Sequence, residues 1–152
     1  MTARKILLLI MRSESERTSE SELAAPGAIE VRCKSLCESL NIELEVSILA
    51  SSNGSADIYE LSQGADALMV SNEAYAGSPD SVAVEEFRSF ESVAERGIPI
   101  VEVHEHNILA DGDYRPYLDS PSIGAGLVSG MGLHSYAVAI RALASKLGGN
   151  AA

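Results

Sequence analysis

Tryptophan is absent from this 152-residue sequence, and only two phenylalanines and five tyrosines are present. Its core must therefore be built from aliphatic side chains. Basic residues are also scarce, since 11 Lys and Arg stand against 22 Asp and Glu and give a formal net charge of -11. A surface of that charge repels phosphate groups, so we expect neither nucleic acid nor an anionic membrane as a partner. The 46% of hydrophobic residues predicts a single globular domain over residues 1–152.

Long apolar runs are missing as well. The first run, residues 6–11, is too short for a signal-peptide core or a membrane span, so we expect a cytoplasmic protein. The only two cysteines, Cys33 and Cys37, lie four residues apart and do not form a C-x-x-C motif. They share one helical stripe with apolar residues, which predicts core packing rather than a zinc or redox site.

Strand-like and helix-like patterns alternate along the chain. Strands are predicted at residues 5–10, 42–50, 67–70, 98–103 and 124–129, and helices at 28–40, 56–63, 81–96 and 133–147. This alternation predicts an α/β fold, a flavodoxin-like, doubly wound, five-stranded parallel sheet with helices on both faces. Sites in such folds lie beyond the carboxyl ends of the strands. The loops of interest are therefore 11–27, which is rich in Ser and Glu and predicted to be a mobile lid, 71–80 and 104–121.

A glycine-rich phosphate-binding motif is missing after the first strand. Residues 11–14 read MRSE and their neighbours are acidic, which excludes a dinucleotide fingerprint or a P-loop there. After the third strand, residues 71–73 read SNE, without the aspartate that a phosphoreceiver domain requires at that place. No cofactor is therefore predicted from these loops.

The fourth strand ends in a cluster of titratable side chains. His104 lies at its carboxyl end, which is a favourable position for acid–base chemistry. Glu102 is two residues earlier, so its side chain points to the same side and can hold the imidazole in one tautomer. Glu105 and His106 follow, but their spacing matches no metal-ligand signature. A surface loop without function is an equally good interpretation of this cluster taken alone.

A family resemblance connects these observations. The sequence IPIVEVH at 98–104, Asn107, YR at 114–115, SP at 120–121, a glycine-rich fifth strand and SVAV at 81–84 resemble type II 3-dehydroquinate dehydratase. The resemblance implies a flavodoxin-like fold and assembly into trimers, usually four of them in a dodecamer. It also implies a small ring acid as substrate, because the family removes water from 3-dehydroquinate without a cofactor.

The resemblance also implies roles for individual residues. His104 matches the general acid, and Glu102 matches the glutamate that supports it. The backbone that binds the substrate carboxylate matches Glu105 and His106, with Asn107 beside it. Two further matches are Arg115, for the arginine that binds ring hydroxyls, and Glu86, for an acidic residue offered to a neighbouring subunit.

The departures from the family pattern lie in the first two loops. No tyrosine occurs in residues 11–27, where the family has its tyrosine base, and Arg17 is the substitute for the lid arginine. After the third strand, Asn72 is the candidate for the asparagine that holds water. The groups that replace the base are predicted among Glu73, His106 and Tyr75.

Three functions remain open from the sequence. The first is a divergent dehydratase acting on a small hydroxylated ring acid or a related biosynthetic intermediate, with His106 or Glu73 as the base or with a substrate that needs none. The second is genuine dehydration of 3-dehydroquinate with a relocated base, for which Tyr75 and Tyr117 are the candidate tyrosines. The third is a non-catalytic, oligomeric binding protein on the same scaffold.

Overall fold

A computed structural model describes residues 2–12, 24–50, 54–71, 84–110, 116 and 118–148. The strands are β1 (Arg4–Arg12), β2 (Ile42–Ala50), β3 (Ala67–Ser71), β4 (Ile100–His104) and β5 (Gly126–Ser129). The helices are α1 (Pro26–Leu40), α2 (Gly54–Leu61), α3 (Val84–Glu95) and α4 (His134–Lys146), and a short 3-10 turn covers Ile108–Ala110. Strands and helices thus alternate as the sequence patterns predict.

The five strands form one parallel sheet in the order β2-β1-β3-β4-β5. This is the doubly wound order, so the predicted flavodoxin-like fold class is confirmed. The chain winds from β1 to one edge of the sheet and then from β3 to the other edge. The switch point therefore lies between β1 and β3, and β4, with His104 at its carboxyl end, is the next strand.

Each face of the sheet carries one hydrophobic cluster. One face packs Ile6, Leu8 and Ile10 of β1 against α1 and α4. The opposite face packs Leu7, Leu9 and Met11 of β1 against α2 and α3. The predicted burial of β1 on both faces is confirmed, and aliphatic side chains dominate both clusters, as the shortage of aromatic residues predicts.

Helix α1 shows how local sequence sets the bounds of an element. Pro26 occupies its first turn, where a fixed φ suits the helix and the missing N–H costs nothing. Asn41 follows its last residue in the left-handed conformation, with φ 55° and its N–H directed at the Cys37 and Glu38 carbonyls. Cys33 and Cys37 are buried free thiols on the sheet-facing side, which confirms their predicted packing in the core.

The predicted bounds of the first loop need correction. Residues 11–27 were expected to form one loop, but β1 continues through Arg12 and α1 already begins at Pro26. Met11 is buried and contributes to the core, and proline favours the first turn of a helix, so both ends of the predicted loop belong to regular structure. The predicted mobility falls on residues 13–23, which lie outside the described residues.

Two features are absent from the described part of the chain, a membrane-spanning helix and a cluster of metal ligands. None of its helices has the length and apolar character needed to cross a bilayer. Within the same residues, no three His, Cys, Asp or Glu side chains are grouped in a way that could hold a metal ion.

Candidate functional site

The site is built at the carboxyl end of β4. All five residues of this strand are buried, because β3 and β5 pair with it on either side and helices cover both faces. Val101 and Val103 belong to the cluster beneath α1 and α4. Glu102 and His104 therefore point to the opposite face, which α2 and α3 cover.

Glu102 and His104 are in direct contact. Oε2 of Glu102 forms a short hydrogen bond with Nε2 of His104, and the two side chains are 1% and 0% exposed. An ionised carboxylate can only accept hydrogen bonds, so Nε2 carries the proton. Nδ1 is then the basic nitrogen of a neutral imidazole and the proton donor of an imidazolium. The sequence prediction that Glu102 fixes the tautomer has a direct structural basis in this contact.

The second oxygen of Glu102 holds the chain that follows the loop after β4. The Leu118 N–H donates to Glu102 Oε1 at 2.6 Å, and the Leu118 side chain is buried among the residues beneath α2 and α3. The next residues fold into a tight turn, in which the Ile123 and Gly124 N–H groups donate to the Ser120 carbonyl. One carboxylate thus orients the imidazole and fixes the end of the predicted substrate loop.

The segment after His104 is attached to the connection between β5 and α4. Ser129 Oγ donates to the His106 carbonyl at 2.9 Å and accepts from the Ile108 N–H at 3.1 Å. The Gly130 N–H donates to the His104 carbonyl at 3.2 Å. These bonds hold the backbone immediately beyond the candidate general acid.

Gly130 is required by close packing in this connection. Its φ is +89°, and a Cβ built on it would lie 3.0 Å from Cβ and 3.3 Å from Cα of Asn107. A side chain would therefore strain the backbone and push Asn107, one of the predicted substrate-binding residues, away from its place. Asn107 is exposed, as is His106, so both side chains are accessible at this edge of the sheet.

Glu105 has its own set of partners on the other face. Its Oε2 accepts a hydrogen bond from the Tyr136 hydroxyl at 2.7 Å. Both of its carboxylate oxygens lie 3.2 Å from the Ala24 nitrogen, immediately before α1. Tyr136 also lies 3.4 Å, oxygen to oxygen, from Ser71 Oγ at the end of β3. This group, which we call the Glu105 network, comprises Ala24, Ser71, Glu105 and Tyr136.

The remaining predicted site residues are placed less completely. Glu86 lies in the first turn of α3 and is 1% exposed within its own chain. Its contact with the site of a neighbouring subunit stays a prediction. Five other predicted site residues lie outside the described residues, as does the second candidate tyrosine: Arg17, Asn72, Glu73, Tyr75, Arg115 and Tyr117.

Sequence reasoning missed the Glu105 network and the bonds of Ser129. Tyr136 lies on the buried, mainly apolar stripe of α4 with Ala139, Ile140 and Leu143. A tyrosine on a buried stripe still needs a partner for its hydroxyl, and this requirement is the signal that could have prompted a search for a buried acceptor. Nothing local in the sequence identifies Ser129, because its two partners come from another segment.

Comparisons with known proteins agree with this architecture. The family model described as dehydroquinase class II matches residues 15–144. A 3-dehydroquinate dehydratase from Alkalilimnicola ehrlichii is 33% identical over 54 residues, and the matched stretch is 36% of this chain and 36% of that protein. The curated match thus spans about a third of the relative's length.

Solved structures extend the similarity across most of the chain. A type II dehydroquinase from Butyrivibrio crossotus has a TM-score of 0.70 at 20% identity, with 94% of this chain and 99% of that one covered. A type II dehydroquinase from Propionibacterium acnes has a TM-score of 0.67 at 19% identity, with 94% and 99% covered. At these identities the two structures show that the fold is shared.

Proposed function

This chain belongs to the dehydroquinase class II family, and from that premise we propose that it is a dehydratase acting on a small hydroxylated ring acid. The observation that carries the proposal is the buried contact between Glu102 and His104 at the carboxyl end of β4. An imidazole held in one tautomer at this position of a doubly wound sheet is arranged for proton transfer.

In the proposed reaction, His104 supplies the proton for the leaving group. A base takes a proton from the carbon next to a carbonyl, and the electron pair forms the carbon–carbon double bond as the neighbouring carbon–oxygen bond breaks. His104 donates from Nδ1 to the departing hydroxyl, which leaves as water. Glu102 stabilises the imidazolium that is present before the transfer and keeps the ring in place.

The substrate carboxylate is assigned to the backbone after His104. This segment is held on one side by Ser129 and on the other by the Glu105 side chain. The resemblance adds Arg115 for the ring hydroxyls and Arg17, Asn72 and Asn107 for further contacts. Glu86 would act in a neighbouring subunit if the chain forms the family's trimer or dodecamer.

The base in the proposed reaction is a side chain outside residues 11–27, because that segment contains no tyrosine. His106 is exposed two residues beyond His104, and we assign the base to His106 or Glu73, with Tyr75 as the tyrosine alternative. Replacing each in turn (His106→Ala, Glu73→Gln and Tyr75→Phe) should lower kcat by about a hundredfold for the true base. Equal kcat values in all three variants would contradict this assignment.

The test of the function is turnover by the wild-type protein. The protein is incubated with 3-dehydroquinate and with a panel of ring carboxylates that carry a hydroxyl group β to a carbonyl. Formation of a conjugated enone is followed by ultraviolet absorbance. We expect turnover of at least one panel member, and turnover of 3-dehydroquinate itself would support the activity printed for the curated relative. Tight binding of a ring acid without turnover of any of them would overturn the proposal in favour of a binding protein.

A further inference from the structure

The structure points to Glu105 as a positioning residue, which acts through the backbone to set the place where the substrate carboxylate binds. We propose that its side chain does not touch the substrate. The inference rests on the function proposed above and concerns the same site. It is based on the contacts of the Glu105 carboxylate, which takes no part in the proposed proton transfers.

The position of Glu105 places its carboxylate away from the reacting face. Glu102 and His104 point toward the layer of α2 and α3, whereas the partners of Glu105 are Tyr136 in α4 and Ala24 at the start of α1. The side chain is only 9% exposed. A carboxylate in direct contact with a substrate carboxylate would also repel it, so a role in direct binding is disfavoured.

The hydrogen bonds of Glu105 fix two pieces of chain relative to each other. The bond from Tyr136 at 2.7 Å secures the carboxylate to α4, and the two contacts at 3.2 Å secure the Ala24 nitrogen to the carboxylate. The Glu105 carbonyl accepts from the Gly132 N–H at 3.0 Å. Side chain and backbone of one residue thus attach the peptide after His104 to the start of α1 and to the start of α4.

A parallel on the other side of His104 strengthens this interpretation. Glu102 accepts from the Leu118 N–H and Glu105 accepts from the Ala24 N–H. Each of two segments predicted to reach the substrate, 11–27 and 104–121, therefore contains a peptide nitrogen bound by a carboxylate close to His104. Hydrogen bonds to an ionised carboxylate are stronger than neutral ones and are suited to this task.

The experiment compares Glu105→Leu with Glu105→Gln, whose amide oxygen can still accept both hydrogen bonds. We expect Glu105→Leu to raise KM for the ring acid about tenfold with kcat unchanged, because the bonds from the Tyr136 hydroxyl and the Ala24 N–H to the carboxylate are both lost. Glu105→Gln should restore KM to within about twofold of the wild-type value. A fall in kcat at unchanged KM, or equal KM values in all three proteins, would overturn the inference.

A second readout does not depend on turnover. Amide hydrogen exchange at Ala24 should be about tenfold faster in Glu105→Leu and in Tyr136→Phe than in the wild-type protein and in Glu105→Gln. Tyr136→Phe keeps the packing volume and removes only the hydroxyl, so it serves if Glu105→Leu does not fold. Unchanged exchange in the folded variants would contradict the positioning role even if the dehydratase proposal holds. If exchange at Ala24 is faster in the variants but the wild-type protein turns over no ring acid, the structural role of Glu105 stands and the proposed function is refuted.

Discussion

Two glutamates stand on either side of His104, three residues apart, and the structure gives them opposite surroundings. Glu102 is within β4, faces α2 and α3, and contacts the imidazole. Glu105 lies just beyond the strand and reaches toward α1 and α4, where it meets Tyr136 and the Ala24 nitrogen. One glutamate is in contact with the group proposed to transfer the proton, and the other accepts hydrogen bonds from a buried hydroxyl and from a backbone N–H of a distant segment.

The difference shows how the strand distributes chemistry. Alternation in β4 sends Glu102 and His104 to the same face, so a carboxylate and an imidazole two residues apart meet without a turn. An odd offset places Glu105 on the other face, where a buried carboxylate is tolerable only because donors surround it. The same residue type therefore has two tasks, which should appear separately in kinetics.

The largest predicted effect is the loss of kcat/KM when Glu102 and Glu105 are replaced together. Glu102→Gln should lower kcat about a hundredfold because a neutral amide cannot stabilise the imidazolium. Combined with the tenfold KM effect of Glu105→Leu, the double variant should lose about a thousandfold in kcat/KM. Steady-state kinetics of the two single variants and the double variant check this product, and Glu30→Gln, a change at an exposed position of α1, is the control. A double variant no worse than Glu102→Gln alone would show that the two carboxylates act as one unit.

Gly130 holds the backbone between the two glutamates, because its N–H donates to the His104 carbonyl. Replacing it should have the next largest effect. Gly130→Ala should reduce the free energy of unfolding by about 1–3 kcal/mol, because φ is +89° and the new Cβ meets Asn107 at 3.0 Å. Gly27→Ala is the matched control, since a Cβ there meets nothing within 4 Å and the residue lies in the first turn of α1. Chemical denaturation of both variants should separate them, and equal stabilities would contradict the assigned strain.

Ser129 offers a smaller test on the side of His106. Ser129→Ala removes the bonds to the His106 carbonyl and the Ile108 N–H, and we expect a loss of about 1 kcal/mol in the free energy of unfolding. Because Ser129 is partly exposed, water can replace part of the lost bonding. Amide exchange at Ile108 should become faster while exchange at Ala24 stays unchanged. Faster exchange at both positions would show that the Ser129 bonds and the Glu105 network are not independent.

The smallest predicted effect is a pH dependence of stability that arises from the core cysteines and not from the candidate site. Burial raises the pKa of the Cys33 thiol to about 11, from an ordinary value of 9.0, and burial also raises the pKa of Cys37. The folded state keeps these protons where the unfolded chain has begun to lose them. The contribution of the protonated Cys33 thiol to the free energy of unfolding is therefore complete below about pH 9 and is lost as the pH rises through 11. Denaturation midpoints from pH 8 to 11 should fall less steeply for Cys33→Ala, and an equal slope would assign the alkaline loss to other groups.

Much of the fold and part of the site could be predicted from the sequence. The continuous apolar run of β1 and the alternation of strands and helices specify a doubly wound sheet, and strand periodicity alone brings Glu102 and His104 together. The family resemblance is borne out by the match to the dehydroquinase class II model.

The remaining features depend on contacts between segments that are distant in the chain. The bonds of Glu102 to Leu118 and of Glu105 to Ala24 join residues 16 and 81 positions apart, and no local pattern encodes them. The close approach of Gly130 to Asn107, 23 positions earlier, is a further contact of this kind. Boundaries also moved by one or two residues, as at α1, which begins at Pro26 rather than residue 28, because side-chain periodicity does not mark the first hydrogen-bonded turn.

The most direct test of the account is the kcat of His104→Ala, measured with the ring acid that the wild-type protein turns over. His134→Ala is the matched control, because the third histidine of the chain is exposed at the start of α4 and its ring is 3.4 Å from Arg32. We expect kcat to fall about a hundredfold to ten-thousandfold in His104→Ala and to stay at the wild-type value in His134→Ala, with both proteins folded. Wild-type turnover in a folded His104→Ala variant would contradict the central claim that the imidazole held by Glu102 carries the proton.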